Sequence, residues 1–185
     1  MSSREKLKAL LLAKSVKTGS FTLASGKTSD LYVDCRVTAM DCHGALLIGE
    51  VGWAAVREKA LELGADAIGG MTLGADPISL AIGMESARSG VAKPLQVFTV
   101  RKEAKKYGAG KRIEGNFASG QKVIVVDDVI TTGGSTLKAV EAIQEAGGEV
   151  LFALVLVDRE EGGREAIEET GLPVLSLFTR TDILS

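Results

Sequence analysis

With 185 residues, 45% of them hydrophobic and 25% charged, the chain has the make-up of one ordinary globular domain. Such a chain can bury its core without disulfides or a structural metal. A net charge of −2 argues against a general nucleic-acid binder, and no apolar run approaches the roughly 20 residues of a membrane span. Cys35 and Cys42 form no CxxC, and the lone His43 makes no metal site beside them. The first residues mix charges with apolar side chains, unlike a signal-peptide core, so a reducing, cytoplasmic compartment is expected.

Residues 3–17 place Leu7, Leu10 and Leu11 on one face of a helix, with Gly19 as its stop. Residues 21–36 (FTLASGKTSDLYVDCR) read as two short strands, around Phe21 and Leu23 and around Leu31 to Val33, joined by a turn over 24–30. Taken alone, Ser25-Gly26-Lys27 is a hairpin tip. Asp41 is the N-cap of a long helix carrying Leu46, Leu47, Val51, Val56, Leu61 and Leu63 and ending at Gly64. Trp53 on it belongs to the core or to a subunit interface. Residues 67–71 are a short buried strand, 72–77 its loop, and Pro77 suits the first turn of the next helix.

Residues 95–100 form a further strand and lead into a basic stretch. Between positions 101 and 112, six basic residues (Arg101, Lys102, Lys105, Lys106, Lys111, Arg112) face one acid, Glu103. The stretch reads either as a solvated basic loop or as a lid that neutralises a bound polyanion. Next, residues 122–136 (KVIVVDDVITTGGST) set four β-branched residues directly before Asp127 and Asp128, then hydroxyls and glycines. Such a run without alternation predicts a parallel strand buried on both faces, with two carboxylates where it ends. The turn that follows, leading into a helix with Leu137, Val140 and Ile143, is a site for phosphate or, more plainly, an ordinary capped βα turn. Another buried strand over 150–157 runs into Asp158, Arg159, Glu160 and Glu161, where Arg159 is either a surface ion-pair partner or a carboxylate binder. A helix over 164–170 and a strand over 173–178 follow. Strands alternating with helices from Asp41 onward predict an α/β fold, a mostly parallel central sheet flanked by helices.

Two acids after four hydrophobic residues, then TTGGS, resemble the phosphoribosyl pyrophosphate (PRPP) motif of type I phosphoribosyltransferases. The 21–36 segment resembles the small N-terminal hood of the orotate phosphoribosyltransferases (pattern FTLxSGKxSDxYxDxR), the basic stretch their catalytic loop, and Asp158 to Gly163 their DRxExG pattern. The resemblance spans essentially the whole chain. It implies a single domain over 1–185, with the hood mainly in 1–40 and the core in 41–185. It further implies transfer of ribose 5-phosphate from PRPP to orotate, giving orotidine 5′-monophosphate and pyrophosphate, in pyrimidine (UMP) biosynthesis.

By the same resemblance, Lys102, Lys105, Asp127 and Asp128 are the catalytic residues. Arg101, Lys102, Lys105, Tyr107, Asp127, Asp128, Val129, Ile130, Thr131, Thr132, Gly133, Gly134 and Ser135 bind PRPP. Lys27, Thr131 and Arg159 bind orotate. Mg²⁺ is the implied cofactor, held mainly by substrate and water with no direct protein ligand. The implied partners are PRPP and orotate, and a second copy of the chain in whose site the basic loop acts, with no nucleic acid and no membrane. Tyr107 stands where the family has histidine, and a phenol donates a hydrogen bond but carries no positive charge near neutrality. The alternatives are a purine-base phosphoribosyltransferase and a non-catalytic PRPP-binding regulator of the same fold.

Overall fold

The computed structural model describes residues 1–22, 28–103 and 112–185. Helix α1 (Ser3–Lys14) opens with a capping box between Ser2 and Glu5 and buries Leu7 and Leu11. It ends at Ser15, ahead of Gly19. The β-branched Val16 turns the chain into strand β1 (Val16–Thr22), so Gly19 does not stop the helix but lies in this strand, where the register with its partner shifts. β1 pairs antiparallel with β2 (Thr28–Val33) as a separate two-stranded sheet. A one-turn helix α2 (Cys35–Ala39) follows, its N-terminus capped by Asp34.

Helix α3 (Cys42–Leu63) is capped by Asp41, whose carboxylate accepts from the His43 and Gly44 amides, and it ends at Gly64. Trp53 is 4% exposed and lies in the core. Thereafter come β3 (Ala67–Met71), α4 (Ala75–Arg88), β4 (Gln96–Val100), β5 (Ile113–Gly115) and β6 (Lys122–Ile130). The chain closes with α5 (Gly134–Glu145), β7 (Glu149–Asp158), α6 (Gly163–Glu168), β8 (Val174–Thr179) and α7 (Arg180–Leu184). The main sheet has the order β5-β4-β3-β6-β7-β8, parallel except for the short edge strand β5.

Strand β6 explains the two-layer cover. Alternate side chains leave opposite faces of a strand. Ile124 and Val126 join a core with Leu7, Ile48, Trp53, Ile78 and Ile82 from α1, α3 and α4. Val123 and Val125 join a second core with Ala139, Val140 and Ile143 from α5 and Ile167 from α6. No alternation shows in the sequence because both faces are buried. Among the described residues no helix is long and apolar enough to cross a membrane.

The crossovers set the position of the site. From β3 the chain moves outward through α4 to β4, whereas from β6 it moves the other way through α5 to β7. Adjacent strands whose connections diverge leave a crevice at their carboxyl ends, the usual ligand position in open α/β sheets.

Candidate active site

That crevice is a cavity of about 280 Å³ at the ends of β3 and β6. Its walls include Asp127, Asp128, Val129 and Ser135, the Thr72-Leu73-Gly74 loop after β3, Arg36 and Lys102. A larger groove of about 600 Å³ lies between Arg112, Phe117 and Glu145. Among the described residues it is lined by the Arg112–Glu145 ion pair at 3.6 Å, whereas the smaller cavity has the acid pair at a helix N-terminus, so the chemistry favours the smaller cavity.

The strand continues through the acid pair: Asp127 pairs with Val155, and Ile130 pairs with Asp158. The carboxylates therefore project from the last turns of a rigid strand, not from its connecting loop. They have opposite surroundings. Asp127 is 5% exposed, and its Oδ2 accepts from the hydroxyls of Ser135 at 2.6 Å and Thr136 at 2.7 Å, both in the first turn of α5. Its Oδ1 accepts from the Asp128 amide at 3.1 Å. Asp127 thus ties the turn after β6 to the strand that precedes it.

Asp128 is half-buried and turns to the cavity. Burial first, and the neighbouring Asp127 charge second, raise its carboxyl from an ordinary 3.8 to about 6. The loop after β3 packs directly on it: a Cβ at Gly74 would lie 2.3 Å from its Oδ1 and would push the carboxylate aside. The Thr72–Leu73 peptide in this loop is cis, and the Thr72 hydroxyl donates to Asp76 at 2.6 Å.

Residues 131–135 wrap the start of α5. Gly133 has φ 77° and is buried, while Thr132 and Gly134 are exposed. A helix N-terminus with exposed backbone suits a phosphate. The Ser135 hydroxyl gives its proton to Asp127, so Ser135 offers a phosphate its amide rather than an O–H donor. The Ile130 side chain is 1% exposed in the core, and its carbonyl accepts from the Arg159 amide, so no side-chain contact to PRPP is available there. Val129 is partly buried beside the cavity.

Arg101 and Lys102 are exposed where β4 ends. The Arg101 amide donates to the Arg112 carbonyl at 2.8 Å, closing the base of the basic stretch. Lys102 lines the cavity, whereas Arg101 points its guanidinium toward Glu114 at 3.9 Å. Lys27, Lys105 and Tyr107 lie outside the described residues. Arg159 is 5% exposed, and its Nη2 donates to the Leu31 carbonyl of β2 at 3.1 Å and meets Glu161 at 2.6 Å. The arginine therefore connects the loop after β7 to the hood. Thr131 is partly buried on the same side, its carbonyl against Gly163.

Arg36 carries a charge at the site to which the sequence reading gave no role. Asp34 holds it through two bonds of 2.8 Å, raising its pKa, and it lines the cavity with Lys102. Its trace in the sequence was the DxR that closes the hood pattern.

An acid pair beside a helix N-terminus at a sheet switch point is what the phosphoribosyl transferase domain family would bring, and that family matches residues 85–170. Over 187 residues the chain is 46% identical to the orotate phosphoribosyltransferase of Aquifex aeolicus, covering 100% of this chain and 99% of that one. Identity to the orotate phosphoribosyltransferase of Rhodopirellula baltica is 45%, covering 94% and 90%. The structure of Mycobacterium tuberculosis orotate phosphoribosyltransferase in complex with PRPP matches the fold with a TM-score of 0.79 and 36% identity, over 100% of both chains. This chain belongs to the orotate phosphoribosyltransferase family, and with it to the pentosyltransferase enzymes.

Proposed function

We propose that the cavity at the β3/β6 switch point transfers ribose 5-phosphate from PRPP to orotate, with the following division of labour. The bond from the anomeric carbon to pyrophosphate breaks with its electron pair leaving on pyrophosphate. N1 of orotate donates the pair that forms the new carbon–nitrogen bond and gives up its proton. Positive charge grows on the ribose ring while this happens, and Asp128 faces it. The observation that carries this role is the half-buried carboxylate whose ionisation burial and Asp127 both oppose, which makes a cationic neighbour favourable there.

Exposed backbone over 132–135 receives the 5′-phosphate. Asp127 keeps that turn in place through Ser135 and Thr136. Lys102, with Arg101 and Lys105, offsets charge on the departing pyrophosphate, and Tyr107 adds a hydrogen-bond donor. Arg159, with Lys27 and Thr131, holds orotate, the planar guanidinium matching its carboxylate. No covalent nucleophile is required.

Mg²⁺ fits this donor set. Asp128 offers one carboxylate lining the cavity, a single oxygen donor for an ion carried by the substrate. Such an ion, held mainly by phosphate oxygens and water with Asp128 beside it, would supply charge neutralisation.

A dimer is part of the reading. Val37 and Met40, from the end of α2, are half exposed, as are Leu46 on α3, Leu73 before α4, and Leu80 and Met84 on α4. These helices pack on one another, and Leu73 also lines the cavity, so an apolar face adjoins the site. In this reading a second copy covers these residues and the basic loop acts in the partner's site. Two free cysteines, Cys35 and Cys42, agree with a reducing cytoplasm.

Purified protein with PRPP, Mg²⁺ and orotate is expected to form orotidine 5′-monophosphate and pyrophosphate in equal amounts. Pyrophosphate release without nucleotide would overturn the transfer reading. Mixing Asp128→Asn with Lys105→Ala protein tests the shared site: partial recovery of activity is expected, and no recovery argues for loops that act within one chain.

A further inference from the structure

The loop after β7 contains an ion pair that the transfer reaction leaves without a task. Arg159 Nη2 donates to the Leu31 carbonyl at 3.1 Å and lies 2.6 Å from Glu161 Oε1 as an ion pair. The guanidinium is nine-tenths buried, whereas the Glu161 side chain keeps 35% of its surface in contact with solvent. The other acids of the loop are fully engaged elsewhere. Asp158 accepts from Arg164 at 3.0 Å and from the Glu160 amide at 2.9 Å, and Glu160 accepts from the amide and hydroxyl of Thr181. Among the described residues Glu161 is tied through Arg159 alone.

A guanidinium fork binds one carboxylate well, through two parallel N–H···O bonds. Two carboxylates, that of Glu161 and that of the acceptor base, have a claim on it. We infer that Glu161 is a resident stand-in for the acceptor's carboxylate. It neutralises Arg159 while the base site is empty, and gives the position up to solvent when a carboxylate-bearing pyrimidine arrives. This rests on the reading that Arg159 holds orotate.

The exchange has a physical logic. A buried guanidinium without a counter-charge is strongly unfavourable, and trading one carboxylate for another keeps it paired before and after binding. Glu161 can leave because it is already partly in water and has no second anchor. A neutral base brings no charge to trade and leaves Glu161 where it is. Glu161 therefore acts as a specificity-determining residue, setting the threshold an acceptor must exceed to take the fork.

Steady-state kinetics of Glu161→Gln provide the test, since glutamine keeps the size and removes the competing charge. At saturating PRPP the KM for orotate is expected to fall about fivefold, the fold-change matching loss of one partly exposed ion-pair competitor. The KM for PRPP at saturating orotate is expected to stay put. Glu161→Asp restores the charge on a shorter arm and is expected to move the orotate KM back toward the parent value. A residue that merely braces the loop would raise the orotate KM, or both KM values, when replaced. Either outcome, or an unchanged orotate KM, overturns the inference. Arg159→Ala in the same series isolates the underlying reading: indifference of the orotate KM to Arg159 removes the carboxylate site itself. A large rise there with no fall in Glu161→Gln removes the stand-in alone.

Discussion

The turn after β6 and the loop after β7 lie back to back and solve opposite electrostatic problems. Gly163, which opens α6, approaches the Thr131 carbonyl and the Gly133 amide so closely that a Cβ would lie 2.6 and 2.9 Å from them. On the β6 side one carboxylate, Asp128, stays short of counter-charge. On the β7 side each charge finds a partner nearby: Asp158 with Arg164, Arg159 with Glu161, Glu160 with Thr181. The difference separates two tasks. A group that stabilises developing positive charge works best where nothing else has already satisfied it. A recognition arginine must be held in one orientation, which internal partners accomplish.

The largest effect is expected at the open side. Asp128→Asn removes the charge that the proposed reaction sets against the ribose, and turnover is expected to fall about 10²- to 10³-fold. Stability moves the other way. A carboxyl with a folded value of about 6 against an ordinary 3.8 makes the native chain bind more protons than the unfolded chain between these values. The stability this proton confers is fully present below about pH 4 and is lost as pH rises through about 6. Asparagine removes that loss, so the variant is expected to be more stable at pH 7.5 by about 1–3 kcal/mol. Denaturant unfolding at pH 5 and 7.5 measures the difference, and a variant destabilised at the higher pH contradicts the account of Asp128. In the parent protein, kcat/KM for PRPP is expected to rise with pH through about 6.

On the closed side, Arg159→Ala is expected to raise the orotate KM about 30- to 100-fold, as loss of a buried charge partner does, with the PRPP KM held within about twofold. Equal loss of both erases the contrast between the two loops. The joint between them gives a smaller effect. Gly163→Ala pushes on Thr131 and Gly133, and the PRPP KM is expected to rise about tenfold. A change in the orotate KM alone would mean that the two loops move independently.

Much of this arrangement was legible in the chain, for identifiable reasons. The run before Asp127 announced a central strand because burial on both faces removes alternation, and the Asp41 cap and Gly64 stop bounded α3. Short elements fixed by tertiary contacts were not legible. Helix α2 is five residues long, and β5 is three residues that pair along β4. Gly19 was misleading because a glycine near a helix end resembles a stop, whereas Val16 had already begun a strand. The unequal surroundings of Asp127 and Asp128 could not be read from two identical neighbours. Ser135, Thr136 and Gly74 create the difference, from elements that meet only in the folded chain. The acids around Arg159 were visible, but not which of them holds the guanidinium.

The most direct test is a competition. Purified protein with Mg²⁺ and limiting PRPP is given equal concentrations of orotate, uracil, adenine and hypoxanthine, and the nucleotides formed are separated. Orotidine 5′-monophosphate as essentially the sole product is the expected result. A purine nucleotide formed in preference to it would contradict the reading of Arg159 and of the site as a whole.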